Sequence, residues 1–420
     1  MKSIVGTYDI LPDEIEKWQY VEAIVRDVFE SFNYSEIRTP IFEETELFER
    51  SIGSVTDIVQ KEMFTFKDRG GRDITLRPEG TAGCVRAFIE HNISHKEQLI
   101  KLYYIGPMFR AEKPQKGRYR QFMQFGTECI GSENPLLDVE TILMNKILLE
   151  KFSLKEIKIY INSIGCKNCR AEYIVKLKEY MKANFDSLCD ECKNRAEKNP
   201  LRILDCKNCK EVMQKSPVII DYLCNDCSTH FKKVQTLLGN CNIEYEINNH
   251  LVRGLDYYTK TAFEIISNKL GAQNTIIGGG RYDNLISKLG GDSIPAIGAA
   301  GGFERLLLAI DEEKIQLQLK QKNKIFIAVQ KKELESDAFI IANRLRSKGL
   351  VVEIDYLGRS LKSQLKTADR IGVRYTLIYG EAEKNNNTIT VRDMKTSTQS
   401  SVSLQNDELI RRISKEEKNT

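Results

Sequence analysis

No stretch of the chain approaches the ~20 consecutive apolar residues that a membrane-crossing helix requires, which excludes such a helix. Proline is also scarce, nine in 420 residues, and with 41% hydrophobic and 29% charged residues the composition leaves little room for long disordered tails. Charge of one sign is missing as well: 63 basic against 59 acidic residues give +4, too little to indicate nucleic acid, so any RNA surface must come from local patches. The opening MKSIVGTYDILPDE reaches polar and acidic residues before any apolar run of signal-peptide length, so a cytoplasmic protein is expected. What the chain does have is length, which predicts two to four domains.

Cysteine is the exception to this even composition. Eight of eleven form Cys-x-x-Cys pairs: Cys166/Cys169, Cys189/Cys192, Cys206/Cys209 and Cys224/Cys227. Taken in sequence they read C-x2-C-x19-C-x2-C and C-x2-C-x14-C-x2-C, close to zinc-ribbon spacing. Four pairs can be grouped into two sites in three ways, and structural zinc, reduced thiols and disulfides are all open. Zinc on four thiolates has no free coordination position and so no catalytic part. Cys84, Cys129 and Cys241 stand apart and read as packing residues.

Residues 15–32 repeat apolar side chains at helical spacing, and an extended segment follows from Pro40. KLYYIGPMFR, AEKPQKGRYR and QFMQFGTECIG read as strand, basic loop and strand, an antiparallel hairpin with a long tip. TKTAFEII and NTIIGGGRYD are further strands, and GGFERLLLAI starts a helix. The expected fold is α+β: a mixed, mainly antiparallel sheet with flanking helices over residues 1–164 and 241–314, interrupted at 165–240 by a helical cysteine-rich insertion. Alternating strands and helices over 322–420 predict a separate α/β domain.

In the second hairpin strand, alternation places Phe122, Gln124, Gly126 and Glu128 on one face. Gly126, lacking a side chain, would let a ligand approach the amide and carboxylate beside it. Arg110 ends the first strand, and the loop adds Lys113, Lys116, Arg118 and Arg120, a donor cluster suited to phosphate. A solvated strand face and a solvated loop are the bland alternatives.

At this point the chain resembles a known family along nearly its whole length. TPIFEETELFERSIG, GPMFRAEKPQKGRYRQFMQFGTE and GGFERLLL resemble motifs 1, 2 and 3 of class II aminoacyl-tRNA synthetases. LVRGLDYYT and GGGRYDNL resemble signatures peculiar to the histidyl-tRNA synthetase family, LRPEGTAGCVRA is a further match, and GRSLKSQLKTADRIG resembles that family's anticodon-binding region.

The resemblance implies adenylation of L-histidine by ATP with Mg2+, then transfer to the 3′ end of histidine tRNA by a homodimer. By it, Arg110 and Arg253 meet charge developing at the α-phosphate, and Arg305 holds the ATP tail and flanks the adenine. Magnesium bridges the ATP phosphates, and Arg253 takes over part of a metal's charge-neutralising role. A neutral imidazole has one donor and one acceptor nitrogen, and Glu128 and Tyr258 match the pair that reads them. Glu79, Thr81 and Gln124 match the residues holding the α-amino and carboxylate ends, while Tyr257, Gly278, Gly279 and Gly280 line the pocket. Gln115, Lys116 and Arg118 match the loop that touches the acceptor end of tRNA. In the last domain Arg359, Lys362, Lys366 and Arg370 form a basic stripe at helical spacing, suited to RNA phosphates. One departure from the family pattern is Ala299, where a phenylalanine is expected.

Two other readings compete: a non-catalytic paralogue serving as a histidine-biosynthesis regulatory subunit or tRNA sensor, and a zinc-dependent RNA-binding module. The first would be expected to lose catalytic arginines, which are present here; the second leaves the carboxylate and arginine pattern unexplained.

Overall fold

A computed structural model describes residues 1–271, 274–319, 324–405, 409 and 411. The strands are β1 (Ser35–Glu36), β2 (Phe42–Glu44), β3 (Phe64–Lys67), β4 (Asp73–Leu76), β5 (Ile100–Phe109), β6 (Gln121–Ile130), β7 (Ile157–Ser163), β8 (Glu246–Ile247), β9 (Thr259–Ser267), β10 (Thr275–Arg281), β11 (Ala296–Gly302), β12 (Lys324–Val329), β13 (Val351–Ile354), β14 (Tyr375–Tyr379), β15 (Thr388–Asp393) and β16 (Gln399–Ser403). The chain divides into two compact units, Met1–Leu317 and Gln318–Thr420.

The first unit is built on an eight-stranded sheet in the order β1-β5-β6-β11-β10-β9-β7-β8. Its centre is antiparallel, and only the short outer strands β1 and β8 pair parallel. Strands from before and after the cysteine-rich stretch are thus neighbours in one sheet. The β5–β6 hairpin keeps register from Ile100↔Ile130 to Phe109↔Gln121, leaving Arg110 to Arg120 as its tip.

One face of the sheet is covered by the amphipathic helices Ile15–Ser31 and Phe303–Glu312 and by Pro135–Lys151, which is buried on more than one side. Their apolar stripes, including Val21, Val25, Ile142, Leu148 and Phe303, close over Phe125, Phe263 and Ile277. Pro135–Lys151 starts where Asn134 accepts from the Leu136 N–H at 3.0 Å and proline occupies the first turn, a strong start signal. The segment after Pro40 is only partly extended: β2 is three residues long, and Thr45–Ile52 is a helix burying Phe48 and Ile52. That apolar pair at i and i+4 wins over the extended reading.

Between β7 and β8 the cysteine-rich stretch folds into helices, the longest being Lys167–Ala183 and Asn225–Asn240. Its apolar side chains Tyr173, Leu177, Met181 and Met213 join one cluster with Tyr257, Tyr258 and Tyr282, so the insert shares a core with the tyrosines that flank the glycine-rich strand β10. In the second unit the sheet order is β13-β12-β14-β15-β16; the first two pairings are parallel and the last two antiparallel. Helices Glu335–Arg346 and Leu361–Arg370 alternate with its strands.

Candidate active site

The floor of the site is a buried carboxylate network. Glu128, on β6, is 1% exposed. Thr81 Oγ1 donates to its Oε1 at 2.7 Å and the Tyr282 hydroxyl donates to its Oε2. Burial pushes its carboxyl up to about 8 against those hydrogen bonds, with Glu79 adding to the rise. Glu79 sits at the start of helix Thr81–Glu90, accepting from the N–H groups of Thr81 at 2.7 Å and Ala82 at 2.8 Å. Burial raises its carboxyl too, while those amides hold it down. Gln124 lies on the same face of β6 and accepts from the Tyr104 hydroxyl at 3.4 Å.

The glycines do different work from that expected. A Cβ on Gly126 would lie 2.3 Å from the Tyr104 hydroxyl oxygen, and one on Gly80 would lie 2.3 Å from Tyr104 Cζ. The space over Gly126 is therefore filled by the ring of Tyr104, its cross-strand partner, and not left for ligand. Of the run on β10, only Gly278 lines the cleft. A Cβ there would come within 2.3 Å of the Arg253 guanidinium, so the missing side chain makes room for that arginine. At Gly279 and Gly280 the Cβ would meet neighbouring backbone, the Gly298 carbonyl oxygen at 2.3 Å and the Thr261 carbonyl oxygen at 2.4 Å. These two serve close strand approach and do not line the cleft. Ala299 lines the cleft, and its Cβ lies 2.7 Å from where a Gly279 Cβ would be, so the small residue in place of the expected phenylalanine stands at the cleft wall and against β10 at once.

Three arginines meet in the same cleft as Glu79, Thr81, Gln124, Tyr257 and Tyr258. Arg110 Nε donates to the Pro78 carbonyl at 2.9 Å, and its guanidinium lies 5.3 Å from the centre of the Phe122 ring. Arg253 donates from Nη1 to Glu264 and sits 5.9 Å from the centre of the Tyr258 ring, while its buried Nε has no hydrogen-bond partner among the described residues. Burial is the largest influence and opposes its charge, but Glu264 together with the hydroxyls of Tyr258 and Tyr257 outweighs it and holds the pKa above the usual range. Arg305 donates to the carbonyls of Gly117 at 3.2 Å and Thr275 at 2.9 Å. Burial, then the cations Arg118 and Arg110, bring it down to about 10. Crowded like charges half withdrawn from water are what a polyanion would relieve.

The hairpin tip folds back over this cleft through a turn in which Gln115 and Arg118 exchange backbone hydrogen bonds, with Gly117 at φ +75°. Arg118 pairs with Glu112 at 2.7 Å and lines the cleft; Lys116 is largely exposed and pairs with Glu312 at 2.7 Å. Gln115 stands outside the cleft lining. In the second unit Lys362, Lys366 and Arg370 are exposed on one helix, but Arg359 is not part of a free stripe: its guanidinium clasps buried Asp355 and donates to Thr367 Oγ1 at 2.9 Å.

The eight paired cysteines form two clusters. Cys166, Cys169, Cys224 and Cys227 make one, Cys189, Cys192, Cys206 and Cys209 the other, with the sulfurs of each set within 4.8 Å of one another. The first pair thus joins the fourth and the second joins the third, not the sequential grouping. Cys84 and Cys129 are buried as expected, whereas Cys241 is exposed at the end of helix Asn225–Asn240 and is not a core packing residue.

Several functional contacts were not read from the sequence. Tyr282 lies in GGGRYDNL yet had no assigned role, and it holds Glu128. Tyr104 supports Gln124. Glu264 is a lone acid in the apolar strand TKTAFEII, a signal that could have found the Arg253 partner. Glu304 accepts from the Met123 N–H at 2.9 Å and the Tyr8 hydroxyl at 3.1 Å, and burial lifts it to about 7. Behind the glycine strand, Arg281 and Asp138 are both 0% exposed and form an ion pair at 2.7 Å, with His230 Nε2 on the second Asp138 oxygen at 3.0 Å.

The chain matches known proteins along nearly its whole length. A family model described as histidyl-tRNA synthetase matches residues 6–306, and one described as an anticodon binding domain matches residues 324–416. A histidine–tRNA ligase from Halothermothrix orenii is 51% identical over 408 residues, covering 97% of both chains. The crystal structure of apo histidyl-tRNA synthetase from S. aureus superposes with a TM-score of 0.83 at 39% identity, covering 99% of this chain and 100% of that one. A Bacillus halodurans structure described as an ATP phosphoribosyltransferase regulatory subunit/histidyl-tRNA synthetase shares the fold, with a TM-score of 0.65 over 90% of this chain and 98% of that one, at 20% identity; the 51% identity to a histidine–tRNA ligase does not favour the regulatory reading. With near-full-length identity of about half and a cleft that keeps its arginines, the chain belongs to the histidyl-tRNA synthetase family and is an aminoacyl-tRNA synthetase that ligates histidine to tRNA.

Proposed function

We propose that the cleft holds histidine and ATP side by side and drives attack of the histidine carboxylate on the α-phosphorus, releasing pyrophosphate. The observation that carries this reading is the convergence of Arg110, Arg253 and Arg305 in a cleft lined by Thr81, which donates to Glu128, itself held by Tyr282 in the layer beneath the lining. Glu128 accepts an imidazole N–H while Tyr258 meets the other ring nitrogen. Glu79, Thr81 and Gln124 fix the α-amino and carboxylate ends, and Tyr257 walls the pocket. Arg110 and Arg253, each anchored before substrate arrives, face the charge that builds on the α-phosphoryl oxygens, and the unpartnered Arg253 Nε is a donor waiting for it. Arg305 takes the far end of the triphosphate.

Magnesium accompanies ATP and supplies further positive charge at its phosphates. Glu264 is engaged by Arg253 and by Thr275 Oγ1 at 3.1 Å, and the sets of three or more potential metal ligands gathered together among the described residues are the two cysteine clusters. The arginines therefore carry the protein's share of charge neutralisation. Zinc, held by four thiolates per ion in the insert, belongs to the fold and not to the reaction, because no coordination position is left for substrate.

Histidine is then passed to the 3′ end of histidine tRNA, with Gln115, Lys116 and Arg118 of the hairpin tip at the acceptor end. Lys362, Lys366 and Arg370 meet phosphates near the anticodon. The enzyme works in the cytoplasm as a homodimer; the exposed apolar residues Ile41, Phe42 and Phe66 around the small β2-β4-β3 sheet support an interface there. No helix among the described residues is long and apolar enough to cross a membrane.

The test is pyrophosphate exchange by Arg253→Ala. Expected is a fall in kcat of about 10²–10³-fold, the scale for loss of a preplaced oxyanion donor, with histidine affinity nearly unchanged. A variant that keeps full exchange would remove Arg253 from the reaction.

A further inference from the structure

The insert holds more than a set of reduced thiols in apolar packing. Cys166 and Cys169 sulfurs lie 3.6 Å apart, Cys166 and Cys224 4.0 Å, and Cys189 and Cys206 3.8 Å. A tetrahedron with metal–sulfur bonds of about 2.3 Å has sulfur–sulfur edges of about 3.8 Å. A disulfide would need about 2.05 Å, and all eight cysteines are unbridged. Each cluster also has the hydrogen bonding that steadies thiolates. The Cys224 N–H donates to Cys169 Sγ at 3.1 Å and the Cys189 N–H to Cys209 Sγ at 3.2 Å. Cationic side chains stand beside each: Arg170 near the first, Arg195 near the second.

We infer that the insert carries two tetrathiolate sites for a soft divalent cation, zinc by ligand chemistry, nested so that the outer site closes the insert at its base and the inner site folds its far end. This rests on the zinc reading above and adds the grouping and the division of labour. The ligand chemistry selects the ion: four sulfurs, no oxygen and no histidine suit zinc and not magnesium or calcium.

The outer site joins the start of helix Lys167–Ala183 to the start of helix Asn225–Asn240, the first and last long helices of the insert. It sits where the insert leaves the sheet: Gly165 and Lys260 are hydrogen bonded at 3.0 Å beside Cys166. One turn beyond Cys227, His230 reaches Asp138, whose other oxygen holds Arg281; the next residue, Tyr282, donates to Glu128. The outer metal thus fixes the helix that buttresses the histidine pocket. The inner site encloses helix Asp190–Lys198 and the turn Pro200–Ile203, and its link to the pocket is the weaker one, Asn199 donating at 3.4 Å to Asp256, the neighbour of Tyr257.

The test is the metal content of the full chain purified in reducing buffer with zinc. Expected are two zinc ions in the unaltered chain and one in each nested variant, either Cys166→Ser, Cys169→Ser, Cys224→Ser, Cys227→Ser or Cys189→Ser, Cys192→Ser, Cys206→Ser, Cys209→Ser. The crossed variant Cys166→Ser, Cys169→Ser, Cys189→Ser, Cys192→Ser should hold none. One zinc retained in the crossed variant overturns the nesting but leaves zinc in place; an unaltered chain without metal overturns the sites and the zinc reading together. Because variants lacking four thiols can fail to fold, cobalt is also titrated into the intact apo chain. Two equivalents with sulfur-to-cobalt charge-transfer absorption are expected, and fewer than two, or a spectrum without thiolate bands, overturns the proposal. Division of labour is read from the KM for histidine, which should rise at least 5-fold in the outer variant with little change in the inner one; equal values in both overturn the assignment of the outer site.

Discussion

Glu128 offers a prediction that ties burial to ligand binding. With its carboxyl pushed up to about 8, roughly 0.9 of the empty pockets carry a proton on Glu128 at pH 7. If the carboxylate accepts an imidazole N–H while the α-ammonium group settles near Glu79, binding brings that value down and the proton leaves. Free histidine contributes a further ~0.2, since its imidazole has an ordinary pKa of about 6.5 and binds neutral. Calorimetry in buffers of different ionisation enthalpy should thus show release of about one proton per histidine at pH 7 in the unaltered enzyme. Glu128→Gln should retain only the ligand's ~0.2 and bind histidine about 10- to 150-fold more weakly, the cost of losing a charged hydrogen bond of about 1.5–3 kcal/mol. The sign also fixes stability. A carboxyl raised in the folded state stabilises the fold only while protonated, so the empty enzyme loses stability as pH rises from about 4.5 through about 8. Proton release that is the same in the enzyme and in Glu128→Gln would refute the argument.

Three further outcomes follow from the geometry. Tyr282→Phe leaves one buried Glu128 oxygen without its donor, which at about 1–3 kcal/mol should raise the histidine KM roughly 5- to 150-fold while the ATP KM stays near its original value; initial-rate kinetics in both substrates decides it. Gly278→Ala should displace Arg253 and cut exchange at least 10-fold with a near-normal melting temperature, whereas Gly279→Ala meets the Gly298 carbonyl and should cost about 1–3 kcal/mol or more in denaturant unfolding. Asp138→Ala takes from buried Arg281 its nearest carboxylate, leaving the longer 3.4 Å contact to Asp283 and two backbone carbonyls, and should destabilise the first unit by about 2–4 kcal/mol, read as a shift of its urea midpoint.

The sequence made the sheet legible wherever period-2 runs were bounded by glycine or a charged loop: the β5–β6 hairpin, β9 and β10 lie within a residue or two of where they were expected, whereas β11, a run of alanine and glycine, carried no such signal. It misjudged residues 45–52, where the helical signal is only one buried pair, Phe48 and Ile52, in a charged segment. Glycine misled in a physical way. A missing side chain announces that something comes close without saying what, and at Gly126 it is Tyr104 and at Gly278 it is Arg253. The same limit hid Tyr282 and Glu264, whose roles depend on partners 154 and 11 residues away that only the sheet register brings together. The cysteine spacing announced two fourfold sites but not their grouping, because the route of the intervening helices decides which pairs meet.

The central claim is that this cleft activates histidine and no other amino acid. Pyrophosphate exchange with each of the twenty amino acids tests it without tRNA. The account predicts exchange with histidine alone, lost in Arg253→Ala; absence of histidine-dependent exchange in a folded chain that still binds histidine would contradict it.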